Sequence, residues 1–422
     1  MRATRLPPRW KALRFHREQH RLWTENRRFK VVAAGRRSGK TELAKRRLVV
    51  ALTERKPWPD PRYFAAAPTR EQAKRIFWKD LKALVPRRWT ARVYESELCI
   101  VTHLGSELWV VGLDRPERME GTPWDGGVLD EYADMKADVW RSSVRPALSD
   151  RQGWCWFTGV PDGLNHFKDL ADYARSSGDP LWGYYHWPSA DILPAEEVAA
   201  ARRDLDERTF RQEYEASFEV ASGRVYYPFD RSLHVDDTVE IDARLPICLC
   251  CDFNVDPCVW ELAQTDGAMV RVFDEVVLRG TSTMEMGREV LARYGGHAGG
   301  FRVYGDAAGS ARSTTGATDY AILAELGFTD QRVARSNPAV KDRVNTLNAM
   351  LRSSSGEVRL RINGRCRMLV RDLETVCWNG DSMDLDKSER DRTHASDALG
   401  YFLCREFAPR RFRPDRGGRF YK

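Results

Sequence analysis

A chain of 422 residues, 42% hydrophobic and 31% charged, has the make-up of a folded globular protein. It is too long for one ordinary core, so two domains are expected, or three. No apolar run is long enough to span a bilayer and the start MRATRLPPRW has no apolar signal core, which excludes a membrane protein and predicts an intracellular one. The net charge of +7 gathers at the ends: ten Arg or Lys in residues 1–30, and Arg410, Arg411, Arg413, Arg416, Arg419 and Lys422 in the tail. Such ends suit nucleic acid or an acidic protein surface, or are solvated termini. Nine cysteines without a CxxC pair point to reduced, buried thiols rather than disulfides or a zinc site.

In chain order, residues 12–28 read as a helix carrying Gln19, where nucleotide motors place a base-reading glutamine. The apolar run 29–33 reads as a strand. It leads through Ala34-Gly35-Arg36-Arg37-Ser38-Gly39-Lys40-Thr41 into a helix over 42–52. Strand, glycine-bearing loop and helix with Gly-Lys-Thr at the turn form a phosphate-binding loop. Its backbone N–H groups and helix N-terminus face a triphosphate, Lys40 reaches the β- and γ-phosphates, and the Thr41 hydroxyl meets Mg²⁺. Ala34 stands where the consensus has glycine. Residues 62–68 read as a buried strand and 69–84 as a helix with Thr69 as N-cap. Residues 92–101 and 107–113 read as a hairpin about Leu104-Gly105-Ser106. Gly126-Gly127-Val128-Leu129-Asp130-Glu131 is a short strand ending in two carboxylates: Asp130 to hold Mg²⁺ and Glu131 to polarise an attacking water. Residues 154–159 form another strand, and 193–218 read as helical. This is a doubly wound α/β arrangement with its chemistry at the carboxyl ends of strands.

Periodicity is lost over 222–245, which is read as a linker. The expected division is a P-loop ATPase domain over 1–221 with a helical lid near 190–221, the linker, a second α/β domain over 246–408, and a basic tail over 409–422. In the second domain 247–253, 258–264, 270–278 and 301–305 read as strands, and 282–293, 317–326, 342–351 and 392–407 as helices. Asp252 and Asp306 end strands, and Asp397 lies on the last helix. Hard oxygen ligands meeting in this way can hold a pair of Mg²⁺ or Mn²⁺ ions, which activate water and steady the leaving oxygen of a phosphodiester. That is the layout of a ribonuclease H-like nuclease. Asp256, Glu275 and His394 are further polar residues nearby whose roles stay open.

In the order of these motifs the chain resembles the large terminase subunit of tailed bacteriophages over roughly residues 12–405. The resemblance is carried by Gly35-Arg36-Arg37-Ser38-Gly39-Lys40-Thr41, Asp130-Glu131, Phe157-Thr158-Gly159, and then the three acids. Phe210-Arg211-Gln212-Glu213-Tyr214 and Asn337-Pro338-Ala339-Val340-Lys341-Asp342-Arg343 also look like family segments. The resemblance implies an ASCE, RecA-like ATPase domain joined to a ribonuclease H-like nuclease domain. It implies ATP with Mg²⁺ in the first and two metal ions in the second. Arg118 matches the position of an arginine finger acting on a neighbouring subunit, with Arg36 acting in cis as the competing candidate. Thr158 and Gly159 would couple nucleotide state to DNA grip. The implied partners are double-stranded DNA held through its phosphates, a portal on a procapsid, and a small terminase subunit. A homo-oligomeric ring, a pentamer, is implied on the portal and a monomer in solution. The implied setting is the host cytoplasm during assembly, not the mature virion. A cellular helicase-nuclease and a nucleotide-gated scaffold are the alternatives.

Overall fold

The computed structural model describes residues 16–163, 165–219, 223–254, 256–311, 317–379, 385–386 and 392–408. The basic residues of 1–15 and the tail 409–422, expected to meet nucleic acid or protein, lie outside the described residues. The chain divides into two compact units, Met1–Val198 with Arg211–Val220, and Ala199–Phe210 with Ala221–Lys422.

The first unit is built on eight strands: β1 Phe29–Ala34, β2 Arg62–Ala67, β3 Thr90–Tyr94, β4 Cys99–Thr102, β5 Glu107–Gly112, β6 Gly126–Asp130, β7 Trp154–Gly159 and β8 Trp182–Trp187. Their order is β3-β4-β5-β2-β6-β7-β1-β8. The run from β5 to β8 is parallel, while β3, β4 and β5 form an antiparallel meander. A parallel sheet is covered on both faces, so its strands are apolar throughout. In β1, Val32 and Ala34 face the helix Lys40–Ala51, and Val31 and Ala33 face the side packed by Phe167 and Ala171.

Several elements differ from the sequence reading. The first helix runs only over Arg17–Thr24, because the buried Lys30 ammonium binds the carbonyls of Leu22 (2.6 Å) and Glu25 (2.5 Å) and Glu25 turns extended. The run 92–101 is two strands, folded at Leu98, which takes φ 60° because its side chain is buried in the core. The stretch 193–218 is two helices, Ala195–Asp204 and Glu207–Tyr214, split where Asp206 caps Thr209 N. The strand β8 and the helix His166–Ser176 went unread.

The second unit contains β9 Ile247–Asp252, β10 Cys258–Thr265, β11 Val270–Leu278, β12 Phe301–Gly305 and β13 Leu360–Ile362, in the order β12-β9-β10-β11-β13. The first three form an antiparallel meander, and β12 joins β9 in parallel. This is a ribonuclease H-like sheet. The helices Val340–Leu351 and His394–Phe407 bury Leu347, Leu351, Leu399 and Phe402 in one core with Cys248 and Cys250 of β9. Residues 223–245, expected as a linker, supply that core with Val225, Tyr226 and Phe229 and form the short helix Arg231–His234. Their apolar groups are spaced by turns, so no period betrayed them. All nine cysteines are free thiols, and seven of them are buried.

One feature of this core is expensive. Glu261 on β10 has no exposure, and neither carboxylate oxygen has a hydrogen-bond partner among the described residues. Burial raises its carboxyl well above the ordinary value of 4.5, and Glu275 directly opposite, Asp372 and Asp274 add to the shift. The folded state therefore keeps a proton that the unfolded chain releases near its ordinary value, so stability falls as pH rises from about 4.5. Glu261→Met, an apolar change of similar volume, is expected to stabilise the unit by about 2 kcal/mol at pH 8. The gain should be smaller at pH 5. Thermal unfolding at the two pH values measures it, and an equal change at both would refute the proton linkage.

Candidate functional site

Because β1, β6 and β7 are parallel neighbours, their carboxyl ends lie side by side. The register sets Ala33 beside Gly159 and Asp130 beside Thr158. The loop after β1 thus meets the Asp130-Glu131 pair and the Thr158-Gly159 pair at one edge.

The loop is shaped by local rules. Gly39 adopts φ 82° as N-cap of Lys40–Ala51 and makes no side-chain cap, so the first-turn N–H groups remain available to an anion. Arg37 also takes a positive φ of 58°. At Gly35 a Cβ would come within 2.4 Å of Ser189 Oγ and 2.6 Å of Tyr214 O, so the close approach demands glycine. Ser189 Oγ donates to Arg36 O (2.6 Å), and Gln19 Nε2 and Trp187 Nε1 donate to Ser38 O at 2.9 and 3.1 Å. Gln19 is therefore at the loop, with its amide engaged on the backbone. The Arg36 guanidinium is paired at two points with Glu213, and this hydrogen bonding holds its pKa above the usual arginine value. Arg118 sits exposed on the 3-10 turn Pro116–Met119.

Thr41 Oγ1 donates to Asp130 Oδ2 at 3.0 Å, and Thr158 Oγ1 donates to Asp130 Oδ1 at 2.5 Å. One buried carboxylate thus ties the loop to the end of β7. Glu131 follows in a left-handed conformation, φ 54°, a strained backbone of the kind found at functional sites. Burial raises its carboxyl to about 7, opposed by Lys40 and helped by Asp130 and Asp134.

These residues fit a nucleotide phosphate with Mg²⁺. Ser38 Oγ is buried and unpartnered. Lys40 is only 6% exposed, and its charge acts on the Glu131 carboxylate. The Ser38 hydroxyl is a polar group buried without compensation among the described residues, which is costly unless a ligand supplies it.

The second unit brings Asp252, at the end of β9, beside Asp306, which follows β12. Asp397 comes from the first turn of His394–Phe407. Tyr401, one turn further along, is buried. Burial raises its phenol, the Arg343 charge opposes this, and the Asp397, Asp306 and Asp252 charges all add to it, so the three acids share one neighbourhood. The expected pair of metal ions is not matched by this arrangement. Among the described residues no group of three or more His, Cys, Asp or Glu side chains is placed to hold a metal ion. Each carboxylate is engaged by protein instead. Asp252 Oδ2 lies 2.7 Å from Asn254 Nδ2 and 2.9 Å from His394 Nδ1, Asp306 Oδ1 accepts from Asn337 Nδ2 (2.7 Å), and Asp397 Oδ1 pairs with Arg343 (2.9 Å). Of the residues with open roles, His394 touches Asp252, Glu275 accepts from Met368 N and Leu369 N at a helix start, and Asp256 pairs with Arg279 on the surface.

The sequence reading missed Ser189, Trp187 and Glu213 at the loop and Asn254 and Tyr401 at the acids. Glu213 and Arg343 lay inside segments noticed for their likeness alone. No local pattern announces residues that meet the loop from 149 to 177 positions away.

Residues 31–232 match the family described as terminase large subunit, T4likevirus-type, N-terminal. Large terminase subunits of Escherichia phage T5 and Thermus virus P23-45 are 30% and 28% identical to this chain over 50% and 51% of its length. The chain spans about half the length of these relatives, 48% and 51%. Among solved structures, the large terminase of a thermophilic bacteriophage shares the fold, with TM-score 0.66 at 16% identity over 93% of this chain and 99% of that one. The same phage protein in complex with ATP-gamma-S gives TM-score 0.63 at 16% identity, with the same coverage. Residues 31–232 are thus similar in sequence to the N-terminal part of large terminase subunits, and nearly the whole chain shares its fold with one of them.

Proposed function

We propose that the chain is a DNA-packaging motor subunit whose first unit hydrolyses ATP to move double-stranded DNA into a procapsid and whose second unit cuts that DNA. The observation that carries the first half is Asp130, gripped from one side by Thr41 of the phosphate loop and from the other by Thr158 at the end of the neighbouring strand. ATP, when bound, supplies the phosphoanhydride whose cleavage drives movement. Lys40 offers its ammonium to the β- and γ-phosphates, and the first-turn N–H groups of the helix Lys40–Ala51 face the phosphate path. Thr41 and Asp130 would hold Mg²⁺, and Glu131 orients the attacking water. Thr158 and Gly159 relay the state of Asp130 along β7. Gln19, beside the loop, is the candidate contact to the base. With Arg36 committed to Glu213, exposed Arg118 is the better candidate for a finger offered to the next subunit of a ring, which the resemblance to large terminases suggests is a pentamer on the portal. The small terminase subunit and the host cytoplasm belong to the same proposal.

For the second unit, the gathering of Asp252, Asp306 and Asp397 around Tyr401 supports phosphodiester cutting. Plasmid digestion in Mg²⁺ or Mn²⁺ buffer tests it. Asp306→Ala is expected to lose cutting by at least about a hundredfold, the scale of one essential group at a phosphoryl-transfer centre, while ATP hydrolysis persists. Equal digestion by wild type and variant would remove the cutting reading and leave the motor reading standing.

A further inference from the structure

The turn that follows Glu131 is gripped by two side chains that the proposed function leaves unused. Glu131 takes the left-handed conformation (φ 54°, ψ 47°), and the 3-10 turn Tyr132–Asp134 begins directly after it. A residue with a Cβ resists that conformation, so the surrounding backbone must be fixed by other contacts. The bonds of the turn itself, Asp134 N to Glu131 O (3.0 Å) and Met135 N to Tyr132 O (3.1 Å), set its shape but not its place. Its place is set from the start of the helix His166–Ser176, which follows β7 in the chain. Asn165 Nδ2 donates to Ala133 O (3.1 Å), while Asn165 Oδ1 caps the helix by accepting from Phe167 N (3.0 Å). His166 Nε2 lies 3.0 Å from Tyr132 O. A carbonyl has no proton to give, so His166 is the donor and its Nε2 carries the hydrogen. The Tyr132 ring, 2% exposed, meets Phe157 of β7 edge-on at 5.1 Å between ring centres and His166 at 4.9 Å. Gly159 lies close against the same place, since a Cβ there would stand 3.3 Å from the Phe167 ring and 3.5 Å from Tyr132 N.

The two carbonyls that follow Glu131 are thus each bound by one of two successive side chains at a helix start. That is a two-point brace on a turn whose strained first residue bears the carboxylate. A group that orients a water must be held to within about 0.5 Å of its working position. We infer that Asn165 and His166 are positioning residues that hold Glu131 in place by fixing the carbonyls of Tyr132 and Ala133. The inference rests on the reading of Glu131 as the residue that orients the attacking water.

ATP hydrolysis by the full chain, followed by phosphate release and resolved into kcat and KM, tests the brace. His166→Phe keeps a ring beside Tyr132 and removes the N–H. His166→Gln removes the ring and keeps an N–H near the Nε2 position. Asn165→Ser keeps a good helix cap but is too short to reach Ala133 O. His166→Phe and Asn165→Ser should each lower kcat at least about tenfold, within the hundredfold that an ångström of misplacement can cost. KM for ATP should stay within about twofold of wild type, because the phosphate loop is untouched. His166→Gln should recover most of the loss. Circular dichroism checks folding, and either donor-free variant suffices if it folds. Full kcat in a folded donor-free variant, a KM that rises while kcat holds, or a loss in His166→Gln as deep as in His166→Phe overturns the brace. Glu131→Gln separates the brace from its foundation. If it hydrolyses ATP as wild type does, the reading of Glu131 falls and the brace with it. If it is inactive while His166→Phe and Asn165→Ser run at full rate, only the brace falls.

Discussion

Lys40→Ala is expected to slow ATP hydrolysis by at least about a hundredfold while leaving the protein no less stable. The two halves of that result have opposite causes. In catalysis the ammonium meets charge that develops on the transferring phosphoryl group, and removing such a contact typically costs two or more orders of magnitude. In the folded protein without nucleotide, Lys40 is 6% exposed and the charge its ammonium answers is that of Glu131. Glu131, whose carboxyl burial already raises to about 7, can take up a proton when that ammonium goes, so alanine leaves no unpaired buried charge behind. A residue kept for structure would behave the other way, losing stability and activity together. Phosphate release and thermal unfolding of the same preparation separate the two. The variant also probes the finger. Arg118→Ala keeps an intact loop but offers nothing to its neighbour, whereas Lys40→Ala has a disabled loop and an intact Arg118. Mixed in a ring, the two should hydrolyse ATP faster than either alone. No gain on mixing would remove Arg118 from that role and return attention to Arg36, whose two-point pair with Glu213 would then have to open.

What could be read from the sequence was what is local. The phosphate loop and Asp130-Glu131 are contiguous, and each follows an apolar strand that both faces of a parallel sheet require. The capping boxes at Thr69–Gln72 and Ser282–Glu285 are likewise complete within four residues. What escaped depends on residues distant in sequence. β8 was missed because Trp182-Gly183-Tyr184-Tyr185-His186-Trp187 carries polar and aromatic groups on an edge with one buried side, and Gly183 is needed there so that Tyr185 can pack across it. The helix Arg17–Thr24 stops short of the expected residue 28 because the lysine that ends it comes from the next strand. At the acid site the strand-end carboxylates were legible as a set. The arginine that pairs with Asp397 was not, since Arg343 and Asp397 are 54 residues apart and only the packed helices bring them together.

Asp125→Ala should produce the largest loss of stability in the first unit, about 3–5 kcal/mol, the range found when one partner of a buried ion pair is removed. Asp125 stands immediately before β6 and is 1% exposed. Its carboxylate accepts from Arg62 N (2.8 Å), Trp58 Nε1 (3.0 Å) and Arg151 (2.9 Å). Its own N–H donates to Arg62 O (2.8 Å), so it joins the start of β6 to the start of β2, where the pairing of Tyr63 with Gly126 begins. Arg151 in turn binds Asp60 and stacks 4.9 Å over Trp58. Alanine would leave that guanidinium with one partner fewer and would orphan an indole N–H and a backbone N–H, each a buried donor with no replacement. Asp125→Asn retains an accepting oxygen and should lose less, about 1–3 kcal/mol. Calorimetry of the full chain reads the shift in the unfolding transition of the first unit. Function supplies the control. Asp125 is five residues before Asp130 along β6, about 16 Å at the rise of a strand, so it cannot touch the phosphate loop. ATP hydrolysis well below the unfolding transition should therefore stay close to wild type per folded molecule. An alanine variant that melts with wild type would show that the network around Arg151 carries no weight, and one that melts early but is also inactive when folded would show that Asp125 sets the position of Asp130 rather than only the stability of the sheet.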